Sequence, residues 1–310
     1  MDPTFLPAVL SICIPIYQLD LHPLVSALQA QMAGLFRPVE LLLMDDGSGE
    51  KWRSLNADLA EQPHTRLIFL PANVGRAAIR NRLAEAAQQP YLLFLDNDAE
   101  LVRPDFLARY LAALEAQPKA AVICGGRVYA AHPPEAAYLL HWRYGHARES
   151  LSAEQRQQQP HRSFMTNNFL IRRDLLLDVR FDERLRQYGH EDTLFGFRLA
   201  QRTVPMLHID NPVQHGELET NATFLRKTEQ GIENLVRIWR DFDLPPGFEE
   251  TVTLLRAYRR LRRAGLLLRG AYGLLRPWLQ VRLLAGTAPM RGFDAYKLLY
   301  LARMVKFLNS

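Results

Sequence analysis

Two carboxylates spaced i, i+2, Asp96 and Asp98, close the apolar run Leu92-Leu93-Phe94-Leu95, with Asn97 between them. In an extended chain that spacing points both side chains to the same side. The run reads as a strand buried on both faces, so the acids stand where it leaves its sheet. Two hard oxygen donors at a strand end suit a divalent cation that also holds a phosphate. The competing reading is a polar loop that caps the following segment, and a D-x-D triplet alone does not decide between them.

The elements that must position these acids follow from the pattern before them. Val9–Tyr17 is β-rich and apolar, a first strand with Pro15 near its end. Residues 22–32 carry apolar side chains at helical spacing, with Gly34 as a stop. Val39–Met44 is a second strand that runs into the acidic turn Asp45-Asp46-Gly47-Ser48-Gly49, and a helix follows through Leu59. Arg66–Leu70 is a third strand, and Pro71–Gly75 turns into an alanine-rich helix over 76–87. The alternation β-α-β-α-β-α-β predicts a mainly parallel sheet with helices on both faces. Ligands bind beyond the carboxyl ends of such strands, where both acidic motifs fall.

The second half is less regular. A helix is expected over 104–116, and a strand broken by glycines over 121–129. Residues 131–162, rich in His, Arg, Gln and Pro, read as an inserted loop or lid. A strand resumes over 164–171. Gly189-His190-Glu191-Asp192 opens a helix that continues to Gln201, and Val204–Ile209 is an edge strand leading to Val213-Gln214-His215-Gly216.

Composition bounds the possibilities. The 310 residues are 48% apolar and 23% charged, enough for one large α/β domain with an extension, or for two domains. The only cysteines, Cys13 and Cys124, lie in apolar runs. They exclude a disulfide framework or a cysteine metal cluster, and they fit a reducing, cytoplasmic compartment. Asp2 and Pro3 precede a short apolar run with no basic n-region, which is not the pattern of a signal peptide. No run of about 18 apolar residues predicts a spanning helix.

At this point the sequence resembles the family 2 glycosyltransferases of the GT-A fold. The resemblance is carried by Pro15-Ile16-Tyr17, Asp45-Asp46-Gly47-Ser48, Asn73-x-Gly75-x-Ala77-x-x-Arg80-Asn81, Asp96-x-Asp98, Asn167-Asn168-x-x-x-Arg172-Arg173, Glu191-Asp192 and His215, in the family's order over about residues 8–220. It implies a GT-A domain at 1–221 and leaves 222–310 as a C-terminal helical extension. It also implies inverting transfer of a sugar from a nucleotide-diphosphate donor. The family pattern is not complete: Ile79 stands where alanine is typical, and Leu83 where glycine is common.

A diphosphate leaving as an anion needs charge compensation, and a cation held by protein acids supplies it without proton transfer. Asp98 is the first expected ligand. Asp96 is either a second ligand or faces the ribose. His215 follows an edge strand and could return to the site, as in relatives that coordinate the metal with such a histidine; otherwise it is a surface-loop residue. A nitrogen among oxygens favours Mn2+ over Mg2+.

Asp45 is expected on the nucleobase, accepting from a uracil imide N–H, with Tyr17 stacking on the base or lining its pocket. Pro15, Ile16, Asn73 and Asn97 line the same donor side by resemblance. Asp46 reads as an ordinary Asx turn. Gly75 allows close backbone approach before a helix N-terminus that favours anions. Arg80 either reaches the nucleotide or forms a surface pair. Asn168, with Asn167, either contacts sugar hydroxyls or completes strand-end hydrogen bonds. Inversion requires a base for the acceptor hydroxyl. By resemblance Asp192 is that base and Glu191 shapes the acceptor site. A helix N-terminal acidic pair that complements the dipole is the plainer alternative.

Between Glu250 and Asp294 there is no acidic residue, while Arg256, Arg259, Arg260, Arg262, Arg263, Arg269, Arg276, Arg282 and Arg291 are interleaved with leucines and aromatics such as Leu266 and Trp278. This tail fits either an interfacial segment on an anionic membrane or a helical annex with a solvated basic face. Nucleic acid is not expected, because no recognition motif accompanies the charge.

The expected function is transfer from a UDP-sugar to a glycan or lipid-linked acceptor in cell-surface polysaccharide synthesis, at the inner face of the membrane if the tail binds lipid. Two rivals remain. A sugar nucleotidyltransferase would carry a glycine-rich basic loop after the first strand, and Tyr17-Gln18-Leu19-Asp20 is not one. A non-catalytic glycan-binding scaffold would not need to keep Asp96, Asp98, Asp192 and His215.

Overall fold

Runs of Leu, Ile and Val with no polar alternation make strands that must be covered on both faces. The computed structural model describes residues 9–186, 188–261 and 264–307. Asp2, Pro3, Arg262 and Arg263 lie outside the described residues, as do the side chains of Leu266 and Arg269. The elements in chain order are β1 (Leu10–Ile16), α1 (His22–Met32), β2 (Val39–Asp45), α2 (Glu50–Asn56), β3 (Thr65–Phe69), α3 (Arg76–Ala86), β4 (Tyr91–Leu95), β5 (Ala99–Leu101), α4 (Phe106–Ala116), β6 (Val122–Cys124) and β7 (Arg127–Val128). There follow α5 (Leu139–Tyr144), α6 (Ala153–Gln157), β8 (Asn168–Arg172), α7 (Arg173–Val179), α8 (Glu191–Gln201), β9 (Met206–His208) and β10 (Val213–His215). The chain ends in α9 (Asn221–Asp241), α10 (Phe248–Thr251), α11 (Thr253–Leu261), α12 (Gly265–Leu284) and α13 (Met290–Phe307).

The chain divides into two units. One comprises residues 9–128, 151–186 and 194–216; the other comprises 129–150, 188–193 and 217–307. The first holds a seven-stranded sheet in the order β3-β2-β1-β4-β8-β6-β9. Strands β3, β2, β1 and β4 are parallel, β8 runs against β4 and β6, and β6 is parallel to β9. The chain moves from β1 outward to β3 and then back to β4 on the other side of β1, so the switch point lies between β1 and β4. Cys13, Leu42, Phe94 and Phe169 face one side with Ala77, Leu83, Leu176 and Phe195 from the covering helices. Ile12, Leu41, Leu93 and Leu170 face the other with Leu24, Leu28, Phe106 and Tyr110. Ile79 and Leu83, the departures from the family pattern, are both buried in the first of these cores. Both cysteines are free and buried, and burial pushes the Cys124 thiol up to about 12.

A second, three-stranded sheet, β5-β10-β7, stands beyond the carboxyl ends. The single glycine-broken strand expected over 121–129 is two strands in two sheets. At the break, a Cβ on Gly125 would lie 2.4 Å from the Asn211 carbonyl oxygen, and Gly126 has φ +95° with a Cβ position 2.6 Å from Arg156 Nη2. Only glycine fits either position.

Much of 131–162 is helical where the sequence reads as an irregular insertion. The segment contains α5, one π-turn over Gly145–Glu149, and α6, whose Ser152–Gln155 capping box closes its first turn. Buried Leu140 and His141 anchor α5, and buried Arg156 anchors α6.

In the second unit, α9 starts at Thr220, whose hydroxyl accepts from Thr223 N. Buried Asn221 accepts from Leu140 N and donates to the carbonyls of Ala136 and Leu284, each at 2.8 Å. Tyr296 and Tyr300 on α13 donate to Glu229 and Glu233 on α9. Among the described residues no helix is long and apolar enough to cross a membrane.

Candidate active site

The carboxyl ends of β1 and β4 flank the switch point, and that of β2 lies beside β1. Parallel pairing sets Ile16 opposite Asp45. Asp45 is buried; its Oδ1 accepts from Ser48 N at 2.8 Å, and among the described residues its Oδ2 has no hydrogen-bond partner. Tyr17, one residue beyond β1, is 46% exposed. The next residue, Gln18, has φ +51° and donates its N–H to the Ser48 hydroxyl at 2.9 Å. Pro15 is half-buried in β1 and Ile16 is buried.

Asp46 does more than close a turn. Its carboxylate accepts from Val74 N at 2.7 Å and from Gly75 N at 3.2 Å, tying the loop after β2 to the loop before α3. Burial raises its pKa, and those two backbone N–H groups act against the rise. Gly47 completes the junction, since a Cβ there would come within 2.4 Å of the Ala72 carbonyl carbon. Gly75 is needed for its φ of +89°, not for crowding, because among the described residues a Cβ would meet nothing nearer than 3.9 Å. Asn73 lies exposed in the same loop.

Arg80 is buried, not a surface pair. It donates from Nη2 to Asp96 Oδ1 at 2.9 Å and from Nη1 to the Arg76 carbonyl at 3.1 Å. Asp96 Oδ2 takes a second arginine, Arg127 of β7, at 3.4 Å. Both carboxylate oxygens of Asp96 are thus engaged by guanidinium groups. Asn97 donates to the Tyr17 carbonyl at 3.4 Å, joining the turn after β4 to the end of β1.

Asp98 meets His215. Antiparallel pairing of β10 with β5 sets His215 opposite Ala99, and Gly216 N donates to the Asp98 carbonyl at 2.9 Å. This leaves His215 Nδ1 2.9 Å from Asp98 Oδ2, both side chains largely buried. Burial pushes the Asp98 pKa up, but the His215 contact and the charges of Arg127 and Arg76 outweigh it and hold the carboxyl below its usual value. Among the described residues no group of three or more His, Cys, Asp or Glu side chains gathers as a metal cage. The pair offers one carboxylate and one imidazole, with the positive Arg127 and Arg76 nearby.

Of its two expected roles, Asn168 takes the strand-end hydrogen bonding. Its Nδ2 donates to the carbonyls of Gly126 and Asn211, at 3.0 and 2.9 Å, and its Oδ1 accepts from the Tyr110 hydroxyl at 2.7 Å. Both amide protons are spent inside the protein. Asn168 pins the junction of the two sheets.

Residues 11–180 match the profile of the family described as Glycosyl transferase family 2. The chain belongs to that family. An uncharacterized glycosyltransferase of Haemophilus influenzae is 34% identical over 101 residues, covering 32% of this chain and 38% of that protein. An uncharacterized Sinorhizobium fredii protein, y4gI, is 32% identical over 117 residues, or 37% of this chain and 13% of its own length. The matches therefore span well under two thirds of these curated relatives. Among solved structures, the mannosyltransferase PcManGT of Pyrobaculum calidifontis, in complex with GDP-Man and Mn2+, superposes with a TM-score of 0.60 at 18% identity, covering 99% of this chain and 88% of that one. Glucosyl-3-phosphoglycerate synthase of Mycobacterium tuberculosis, in complex with Mg2+ and UDP, gives 0.52 at 15% identity over 74% and 78% of the two chains. These likenesses show the fold, which is GT-A with a helical C-terminal region.

The acids expected at the acceptor side open α8, whose first three residues group with the second unit. Asp192 Oδ1 accepts from Thr193 N at 2.6 Å, and the His190 ring contacts the Thr193 hydroxyl at 3.1 Å. Glu191 is buried. Gly189 at φ +98° and His190 at φ +69° shape the approach to this turn, and Asn234 donates to the Gly189 carbonyl at 2.5 Å.

Reading along the chain overlooks Arg76 and Arg127. The available signal was a cation at the first residue of α3 and another directly after Gly125-Gly126.

Proposed function

We propose that this glycosyltransferase moves a sugar from a UDP-sugar to a hydroxyl of a glycan or lipid-linked acceptor, with inversion, in cell-surface polysaccharide synthesis. The observation that carries the reading is the pairing of His215 with Asp98 beside Arg127, at the strand ends that also hold Asp45. Asp45 Oδ2, buried and without a hydrogen-bond partner among the described residues, is suited to accept the imide N–H of a uracil, and Tyr17 to cover the base. The nucleotide diphosphates in the solved relatives support the donor class.

The donor chemistry fits a divalent cation, Mn2+ or Mg2+, which Asp98 and His215 would hold. When bound, such an ion supplies charge compensation to the departing diphosphate. Asp96 is not carried forward as a ligand, because both its oxygens hold arginines. Its place is to orient Arg80 and Arg127 on the donor side. Arg76 and Arg127 add positive charge toward the diphosphate. In the transfer, the acceptor oxygen forms the bond to the anomeric carbon, the bond to the β-phosphate oxygen breaks, and UDP leaves with the electron pair. Asp192 takes the acceptor proton, and Glu191 shapes the acceptor side. The catalytic part ends near residue 221, and the helices beyond it form an extension.

Thermal unfolding with UDP-, GDP- and dTDP-sugars, each with and without Mn2+, tests the donor. UDP-sugar with Mn2+ is expected to stabilise most, by about 2.7 kcal/mol at a hundredfold excess over Kd. Equal response to all three nucleotides, or to none, would remove the uracil assignment.

A further inference from the structure

Helix α12 is apolar on two opposite sides. Tyr272, Leu279 and Leu283 are buried, on the side that packs with α13 and α9 of the same unit. Turned away from them, Leu267, Leu274, Trp278 and Val281 are 76, 82, 56 and 68% exposed. Steps of seven, four and three residues keep these four on one stripe of the helix. At 1.5 Å per residue the stripe is about 20 Å long. Isolated apolar residues are normal on a protein surface, but a continuous stripe of large ones marks a contact.

Helix α12 itself carries arginines and no acid. The tail carries nine arginines and no acid between Glu250 and Asp294. Arg282 lies over the Trp278 ring at 5.1 Å, directly beside the stripe. Arg260 near the end of α11 and Arg291 in the first turn of α13 are exposed. A second copy of the chain docking stripe on stripe would bring arginine against arginine, which charge repulsion opposes.

We infer that this stripe of α12 docks on an anionic lipid surface, with α12 lying along the interface. Leu267, Leu274, Trp278 and Val281 enter the acyl boundary, and the arginines meet headgroup phosphates. An interfacial helix with an indole and leucines on one side and arginines flanking them has that preference. Arginines near an anionic surface add electrostatic attraction that salt screens. The inference stands on the second unit alone and does not depend on the donor.

The test is flotation of the full chain with phosphatidylcholine vesicles, with and without phosphatidylglycerol, at low and raised salt. Binding is expected only with the anionic lipid, and it should weaken with salt. Leu274→Glu/Val281→Glu should reduce it at least about tenfold, because two apolar insertions are replaced by charge. UDP-sugar hydrolysis in the absence of vesicles should not change. Brominated lipid should quench fluorescence in the unmodified chain and not in Trp278→Phe, which keeps the apolar face and guards against a misfolded double variant. Absence of binding to anionic vesicles, binding unchanged in the double variant, or a dimer in solution that the double variant dissolves would each overturn the proposal.

Discussion

His215 Nδ1 lies 2.9 Å from Asp98 Oδ2, although more than a hundred residues separate them in the chain. Strand β10 achieves this by pairing antiparallel with the three-residue β5 directly after the D-x-D turn. If the pair holds a cation, losing either member should cost metal affinity before it costs the fold. His215→Ala is expected to lower Mn2+ affinity about 10–100-fold, read by titration calorimetry with UDP present. Unaltered affinity would place the ion elsewhere.

Asp45 gives a sharper test of the base. Among the described residues its buried Oδ2 has no hydrogen-bond partner, so Asp45→Asn can keep the Ser48 N bond on Oδ1 while it removes the charge facing the donor. Folding stability should change little, while UDP binding weakens by about 1.5–3 kcal/mol, the usual worth of a hydrogen bond to a charged group. Calorimetry with UDP against denaturation in urea separates the two effects.

The arginines on Asp96 differ in burial, and so should their variants. Arg80 is 2% exposed, whereas Arg127 sits nearer solvent at 15%. Arg80→Met should cost about 2 kcal/mol in urea denaturation, less than a fully buried pair would lose because Arg127 still faces Asp96. Arg127→Met should leave stability nearly unchanged and weaken donor binding.

Asp192 is expected to act on the acceptor proton. Asp192→Asn should lower turnover by about 10²–10⁴-fold with UDP affinity retained. Equal turnover would reduce Asp192 to a helix-capping acid, since it already accepts from Thr193 N.

Acid should weaken the fold through His208. Its Nδ1 accepts from Arg156 Nη1 at 2.8 Å and its Nε2 donates to the Pro160 carbonyl at 3.0 Å, so the neutral ring uses both nitrogens. Burial, aided by the Arg156 charge, lowers its pKa to about 4, against 6.5 for the ordinary group. A folded pKa below the unfolded one means that the unfolded chain takes up the proton first. Stability is therefore complete above about pH 6.5 and declines as pH falls toward 4, by about 3 kcal/mol in all. His208→Gln, which keeps a donor and an acceptor, should flatten that slope between pH 7 and 5.

Much of the first unit was legible in the residues. Runs such as Leu41-Leu42-Leu43 and Leu92-Leu93-Phe94-Leu95 lack alternation, and each is a strand covered on both faces. The edge strand before His215 and the helix at Glu191 were also readable. The segment 131–162 was not. Its helices are held by buried polar side chains, Arg156 and His141, whose composition imitates a loop until their partners are known. Asp46, legible only as a local turn, reaches instead to the backbone of the loop before α3, and Asn168 stayed open between two roles because a side chain that serves remote backbone groups looks like one available to a ligand.

The amino-acid order alone determined the parallel α/β core and the acids at its strand ends, because apolar periodicity and turn chemistry act over a few residues. Tertiary pairing decided the rest: that β6 and β7 part at Gly125-Gly126 into different sheets, that β10 returns His215 to Asp98, and that Asp96 is claimed by Arg80 and Arg127. Those outcomes depend on which distant groups satisfy each other's hydrogen bonds and charges once water is excluded, and no local pattern encodes that choice.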